Sequence, residues 1–184
     1  MRPAPRVARR KAGQPHCPTR RLCDNKKMGQ FYERTDLIAA RAVWKAQGRK
    51  VVFTNGCYDI LHPGHVRLLE NARNLGDVLI LALNTDSSVQ RLKGPSRPIL
   101  SEQDRARIAL SLEAVDAVTL FDEDTPRELI AAVLPDVLVK GADWSHFIAG
   151  REEVEAAGGT VMPLPLEPGY STTNIVDEIV RRQP

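Results

Sequence analysis

The sequence predicts a single α/β domain, a Rossmann-like, doubly wound parallel sheet of five strands with helices on both faces. Three observations carry this reading. Short β-branched, apolar runs alternate with amphipathic stretches along the chain. The runs are apolar throughout rather than alternating, as strands buried on both faces are. The length, 184 residues, suits one domain that buries about 70% of its unfolded surface. No GxGxxG follows any strand, which separates this layout from its dinucleotide-binding version, and no internal repeat is visible.

In chain order, Thr35 can cap a helix to about Gln47, with Leu37, Ile38, Val43 and Trp44 inward and Gly48 as its stop. A strand follows at 50–54, then a loop, then a helix from Pro63 to Leu75 closed by Gly76. Pro63 suits the first helical position, and Val66, Leu68, Leu69 and Ala72 form the apolar stripe. Asp77 to Leu83 is a second buried strand, and Asn84 to Pro98 has the composition of a loop. Ser101-Glu102-Gln103-Asp104 starts a helix to about Leu112, and Ala117 to Phe121 is the third strand. Thr125-Pro126-Arg127-Glu128 reads as a capping box opening a helix to about Leu134. Val137 to Val139 and Thr160 to Leu164 complete the strands, and Ser171 caps a last helix over Thr172 to Val180.

Charge is unevenly spread. Residues 1–28 hold nine Lys/Arg and one acid, Asp24, for a net +8; the remaining 17 basic and 22 acidic residues give −5, and the whole chain +3. This Pro- and Arg-rich arm lacks apolar periodicity and is expected to be disordered, ahead of a folded domain over 29–184. It has neither the apolar core of a secretory signal nor aromatic residues for base stacking, which argues against nucleic acid as a partner. An upstream extension before Met28 and a dispensable tail are both open readings of it. No apolar run approaches a membrane span, and three cysteines without framework spacing (Cys17, Cys23, Cys57) point to a reducing cytoplasm.

Residues 51–66 carry the chemistry. The buried run Val51–Phe53 is broken by Thr54-Asn55-Gly56, where glycine lets backbone come close to a ligand. His62 and His65 then flank Pro63-Gly64 at a helix start, beside free N–H groups and the positive end of the helix dipole. That is a place for an anion, most simply phosphate. Two other readings compete: a metal held by Cys57, Asp59, His62 and His65, which lacks a second ligand pair at finger-like spacing, and a purely structural role for both histidines. Asp86, Arg91, Lys93, Gly94 and Arg97 follow the second strand, on the edge where open α/β sheets bind ligands, and Lys140-Gly141-Ala142-Asp143-Trp144 follow the fourth.

His62-Pro63-Gly64-His65 resembles the HxGH signature of the nucleotidyltransferase superfamily that includes the cytidylyltransferases. Phe53-Thr54-Asn55-Gly56-Cys57-Tyr58-Asp59, Arg91-Leu92-Lys93-Gly94, Glu123-Asp124-Thr125-Pro126, Leu138-Val139-Lys140-Gly141-Ala142-Asp143 and Gly169-Tyr170-Ser171-Thr172-Thr173-Asn174, in that order, resemble the heptose 1-phosphate adenylyltransferases within it, over roughly residues 36–181. The resemblance implies transfer of AMP from ATP to a heptose 1-phosphate, giving ADP-heptose for surface glycan, in a cytoplasmic homo-oligomer, a dimer, with Mg²⁺ carried mainly by the triphosphate. It implies catalytic roles for His62, His65 and Lys93. Thr54, Asn55, Gly56, Cys57, Gly64, Asn84, Ser171, Thr172 and Thr173 would hold the nucleotide; Asp59, Arg91, Arg97, Lys140, Gly141, Asp143 and Trp144 would hold the acceptor. No protein-held metal is expected.

Two departures stand out. Many superfamily relatives place an Arg near the final Ser-Thr segment, where this chain has Glu167-Pro168-Gly169 and Asn174, so Lys93, Arg91 or Arg97 must carry more of the neutralisation. Members are also often fused to a sugar kinase, for which 184 residues leave no room, so the sugar phosphate is expected from a separate protein. A cytidylyltransferase acting on a polyol phosphate such as glycerol 3-phosphate, and a nucleotide-binding module without turnover, are the alternatives; retention of both histidines weighs against the second.

Overall fold

The computed structural model describes residues 28–141, 148–165 and 167–183. The basic arm up to residue 27, and with it the expectation of disorder there, lies outside the described residues, as do Asp143 and Trp144. The elements are β1 (Gln30–Phe31), α1 (Arg34–Ala46), β2 (Val51–Gly56), α2 (Pro63–Arg73), β3 (Val78–Asn84), α3 (Asp86–Lys93), α4 (Glu102–Leu110), β4 (Ala117–Phe121), α5 (Arg127–Val133), β5 (Val137–Gly141), α6 (Arg151–Ala156), β6 (Thr160–Leu164) and α7 (Thr172–Arg181).

The described strands form one parallel sheet in the order β1-β4-β3-β2-β5-β6. The chain runs outward from β2 through β3 to β4, then returns to the other side of β2 for β5 and β6. Val52 therefore registers with Leu79 on one side and Val137 on the other. A sheet that reverses in this way opens a crevice at the carboxyl ends of its strands.

Alternate strand residues feed two cores. Val52, Leu79, Leu81, Val118 and Val137 pack under Leu68, Leu69 and Ala72 of α2 and Ala106 and Ala109 of α4. Val51, Phe53, Val78, Ile80 and Leu138 face Leu37 of α1, Leu129, Ile130 and Val133 of α5, and Val154 of α6. All seven residues of β3 are buried, so this central strand needs apolar residues at nearly every position; each such side chain contributes about 1.5–3 kcal/mol by leaving water.

Three aspartates finish the opposite edge of the sheet. Asp77, Asp116 and Asp136 each stand one residue ahead of a strand and accept a backbone N–H from the strand beside it or its lead-in. The bonds are Lys50 N–H to Asp77 Oδ2 at 2.8 Å, Leu79 N–H to Asp116 Oδ2 at 2.8 Å and Val51 N–H to Asp136 Oδ2 at 2.7 Å. Asp136 also takes the guanidinium of buried Arg41 at 2.9 Å, and Asp116 that of Arg73 at 2.9 Å. The amino ends of these strands are thus closed by protein groups, and the carboxyl ends are left for a ligand.

Several sequence expectations change. The sheet has six strands because Gln30–Phe31 adds a short edge beside β4, too short to show a period. Helix α1 starts at Arg34 behind Glu33, so Thr35 is inside it and caps nothing. Leu37 and Arg41 point inward while Ile38 and Val43 are exposed: Arg41 occupies the inward position one turn on, where it reaches Asp136, and this displaces the apolar stripe. Much of the expected loop 84–98 is helix α3, capped by Thr85, whose hydroxyl accepts the Ser88 N–H; its many polar residues disguise it. Thr125 makes no cap bond, since Pro126 occupies the cap position of α5. Helix α6 after Gly150 carried no sequence expectation; there φ is 83° and a Cβ would come within 2.5 Å of Ile130. Strands β2, β3 and β5 run one or two residues further than expected, so Asn55, Gly56, Asn84, Lys140 and Gly141 are strand ends.

Candidate active site at the carboxyl edge of the sheet

The carboxyl ends of β2, β3, β4 and β5, with the starts of α2 and α7, line a crevice of about 530 Å³, within the range of small-molecule sites. Its centre is the turn after β2. Gly56 lies under the ring of Tyr58, where a Cβ would come within 3.0 Å of the aromatic carbons. Tyr58 takes a left-handed φ of 47° and its buried hydroxyl is held far above the usual range by desolvation.

His62 is the cap residue of α2. Its Nδ1 accepts the His65 N–H at 3.3 Å, so the neutral ring carries its proton on Nε2 and presents a donor. The His65 ring stacks on His62 with centroids 3.7 Å apart, and Tyr58 backs His65 at 4.6 Å. Tyr170 lies beyond His62 at 6.1 Å. Gly64 makes this possible: a Cβ there would stand 3.1 Å from both His62 Nδ1 and Tyr170 Cβ. Burial pushes the His65 pKa down to about 4, with the neighbouring His62 adding to the depression, and burial lowers His62 too. At neutral pH both rings are uncharged donors.

Helix α7 brings a second free N-terminus to the same place. Ser171 Oγ accepts the Asn174 N–H at 3.0 Å, and the Thr172 hydroxyl donates to the Ile60 carbonyl at 3.4 Å. An Arg67–Glu167 ion pair ties α2 to the segment leading into α7. Unpaired N–H groups at two converging helix starts favour anionic ligands.

Of the residues singled out from sequence, Thr54, Asn55, Gly56, Cys57, Asp59, His62, Gly64, His65, Asn84, Lys93, Arg97, Lys140, Gly141, Ser171, Thr172 and Thr173 line the crevice. Arg91 is not among its lining residues; it turns to Asp124 at 3.0 Å and to Asp122. Asp59 lines the crevice but is nearly inaccessible and has both oxygens engaged. Oδ2 accepts Arg97 Nε at 2.6 Å, and Oδ1 accepts the Ile99 and Leu100 N–H groups at 2.8 and 3.0 Å. It orders the 97–100 loop and aims Arg97. Lys140 Nζ donates to Asn55 Oδ1 at 2.9 Å. The Cys57 thiol, raised by burial, faces Asn84 Oδ1 at 3.8 Å, while Asn84 Nδ2 donates to Ser88 Oγ at 2.9 Å.

One residue that organises the crevice escaped sequence reasoning. Arg105 of α4 is 2% exposed and donates to the Cys57 carbonyl at 2.7 Å, Asp86 Oδ1 at 2.7 Å and the Leu100 carbonyl at 3.2 Å. It joins the turn after β2, the start of the helix bearing Lys93, and the loop bearing Arg97. Its signal was positional: it shares the inward face of α4 with Ala106 and Ala109.

Among the described residues no group of three or more His, Cys, Asp or Glu stands close enough to hold a metal ion, and no helix is long and apolar enough to cross a membrane. The crevice instead offers neutral imidazoles, helix N-termini and cationic side chains, which suits a polyphosphate. The fold and site together are those expected of a Rossmann-like nucleotidyltransferase.

Comparison with known proteins narrows this. Residues 53–178 match the cytidylyltransferase-like family, and the chain belongs to it. It is 55% identical over 149 residues to the bifunctional protein HldE of Azorhizobium caulinodans, covering 80% of this chain and 31% of that protein. It is likewise 55% identical over 144 residues to HldE of Methylobacillus flagellatus, covering 78% and 30%. The chain thus spans about a third of the length of these relatives. Among solved structures, a lipopolysaccharide core biosynthesis protein from Thermoplasma volcanium superposes with a TM-score of 0.54 at 28% identity, over 65% of this chain and 98% of that one. A pantoate–beta-alanine ligase from Francisella tularensis shares the fold, with a TM-score of 0.57 at 15% identity over 84% of this chain and 80% of that one.

Proposed function

We propose that this chain transfers AMP from magnesium–ATP to D-glycero-β-D-manno-heptose 1-phosphate, releasing pyrophosphate and forming ADP-heptose for surface-glycan assembly. The observation that carries the reaction type is the pair of stacked, neutral histidines at the start of α2, facing the start of α7. The similarity to HldE proteins and to a lipopolysaccharide core biosynthesis protein supports the sugar nucleotide as the product class.

The reaction is one in-line displacement. An oxygen of the acceptor phosphate forms a bond to the α-phosphorus as the bond to the bridging α–β oxygen breaks, and that electron pair leaves with pyrophosphate. Little covalent work falls to the protein, and most of the rate comes from positioning and from donors placed where charge grows. His62 Nε2–H and His65 donate to the phosphate oxygens. The N-termini of α2 and α7 hold the departing pyrophosphate, and Lys93 and Arg97 offset the charge of the two approaching phosphates. Mg²⁺ arrives with the triphosphate, in keeping with its reluctance to give up oxygen ligands for a protein cage. No residue is needed as a covalent nucleophile, and Cys57 serves as packing and as a weak donor to Asn84.

The test is pyrophosphate release by the purified chain with ATP or CTP against a panel of sugar 1-phosphates and polyol phosphates. Turnover with ATP and heptose 1-phosphate is expected. Turnover with CTP and glycerol 3-phosphate instead would overturn the assignment of substrates, and nucleotide binding without turnover on any acceptor would overturn the reaction.

A further inference from the structure

We propose that Tyr170 and the Arg67–Glu167 pair are positioning residues, a latch that hangs helix α7 on helix α2 and so builds the second phosphate cradle. This rests on the reading above that the triphosphate spans the starts of α2 and α7, and it names what keeps those starts together. The two helices are held to the domain very differently. Helix α2 is seated by Leu68, Leu69 and Ala72, all buried in one core. Helix α7 has no buried residue and adds none to either core; its Ile179 and Val180 are 53% and 65% exposed. A helix of 10 residues is marginal in water without packing. The Ser171 cap and the pairs of Glu178 with Arg181 and Arg182 support its helical conformation. They do not fix where the helix lies.

The contacts that do so sit at its amino-terminal end. The Tyr170 ring stacks on His62 with centroids 6.1 Å apart and planes 20° apart, within the range of ring pairs. Arg67, in the second turn of α2, pairs with Glu167. The Arg67 guanidinium is held above its ordinary pKa by Glu167, with Tyr170 adding to the effect, so ring, guanidinium and carboxylate form one cluster. The Thr172 hydroxyl donates to the Ile60 carbonyl at 3.4 Å. Each of these contacts reaches α2 or the turn before it.

The latch also has an electrostatic side. Glu167 lines the crevice, where an unpaired carboxylate would repel phosphate. Arg67 neutralises it while fastening it. Phosphates at the two helix starts complete the link, because N–H groups of both helices then hold one ligand. Ligand and latch stabilise the same arrangement, so each strengthens the other.

Calorimetric titration of the full chain with an inert ATP analogue, pyrophosphate and AMP tests this, alongside hydrogen exchange. Tyr170→Ala and Arg67→Ala should each weaken binding of the ATP analogue and of pyrophosphate roughly three- to tenfold, because one such contact sets the fraction of chains with α7 in place. AMP, whose single phosphate stays at His62 and His65, should bind within about twofold of the wild type. Tyr170→Phe keeps the ring and should restore most of the lost affinity. Arg67 is exposed and Tyr170 is 44% exposed, so the variants should melt close to the wild type. In the ligand-free chain the amides of α7 should exchange faster than those of α2, and the ATP analogue, but not AMP, should slow them.

The latch is overturned if both alanine variants bind the ATP analogue normally, or lose AMP and the analogue equally. It is also overturned if Tyr170→Phe is as weak as Tyr170→Ala, or if α7 is as protected as α2 without ligand. A lowered melting temperature with no selective loss of triphosphate confines these residues to a structural role and overturns it too. The reaction is tested separately. A chain that shows the selective losses but releases no pyrophosphate with any acceptor keeps the latch and overturns the reaction. A chain that turns over while the variants bind triphosphate normally overturns the latch alone.

Discussion

His65 stacks on His62 with 3.7 Å between ring centroids and 16° between ring planes, while its own backbone N–H fixes the proton-free nitrogen of His62. The two residues therefore act as one unit: His65 sets the tautomer of His62, and His62 supports the ring of His65. Replacing either with Ala should lower kcat by roughly 10², a typical loss for one donor to developing charge, with a smaller effect on ATP affinity. The double variant should lose much less than the product of the two single losses, because each deletion already disables the pair. Rapid-mix kinetics with a calorimetric titration of an inert ATP analogue would check this. Near-normal turnover in either single variant would remove the pair from the reaction.

The same burial makes a prediction about pH. His65 titrates at about 4 in the folded protein against an ordinary 6.5. Between these values the unfolded chain binds more protons than the folded one, so stability rises with pH across about 4 to 6.5 and levels off above it. The lowered His62 acts in the same direction. Thermal melting from pH 4 to 7 should show a shallower acid decline in His65→Asn than in the wild type. Parallel melting curves for the two would mean that burial at this site does not oppose protonation.

Gly64 is the close-approach point of the site. A Cβ at this position meets His62 Nδ1 and Tyr170 Cβ, each at 3.1 Å, and neither the cap ring nor the segment before α7 can give way without moving a proposed phosphate donor. Gly64→Ala also favours helix intrinsically, by up to about 1 kcal/mol. We expect melting temperature to change little while kcat falls at least about tenfold, since a displacement of this order at a transition-state donor is costly. A variant of normal activity would show that the two helix starts need not approach so closely.

The fold was legible because its signals are local. Continuous apolar runs marked β2 to β5 at their centres, and Pro63 and Ser171 marked the starts of α2 and α7. What the sequence concealed depends on contacts between distant residues. Helix α3 has Val89 as its buried apolar residue, so no stripe distinguished it from a loop. Asp59 and Arg91 carry charges that sequence position places near a substrate, yet both are directed at protein partners, at separations of 38 and 33 residues. A charged residue near a site advertises its chemistry; which partner takes it is decided only by the fold.

Arg105 is the clearest case of such a hidden partner, and it supports a last prediction. It is a buried cation on α4 whose guanidinium reaches the Cys57 carbonyl, the Leu100 carbonyl and Asp86. Truncation to Ala would leave those carbonyls without donors and Asp86 without its partner, in a space too enclosed for easy repair. The expected loss of stability is about 3–5 kcal/mol, as for other broken buried pairs. Arg105→Lys would keep the charge but could satisfy one acceptor well at best, because the fork that spans all three is lost. The lysine variant should therefore fold with a reduced melting temperature, and its activity should fall through the positions of Lys93 and Arg97, which the three acceptors hold in place. KM for the acceptor phosphate should rise more than KM for ATP, since the starts of α2 and α7 do not depend on this clamp. Chemical denaturation of Arg105→Ala and Arg105→Lys, alongside acceptor and ATP kinetics of the lysine variant, separates a merely structural role from a positioning one. A lysine variant that lost stability but kept both KM values would confine Arg105 to the core.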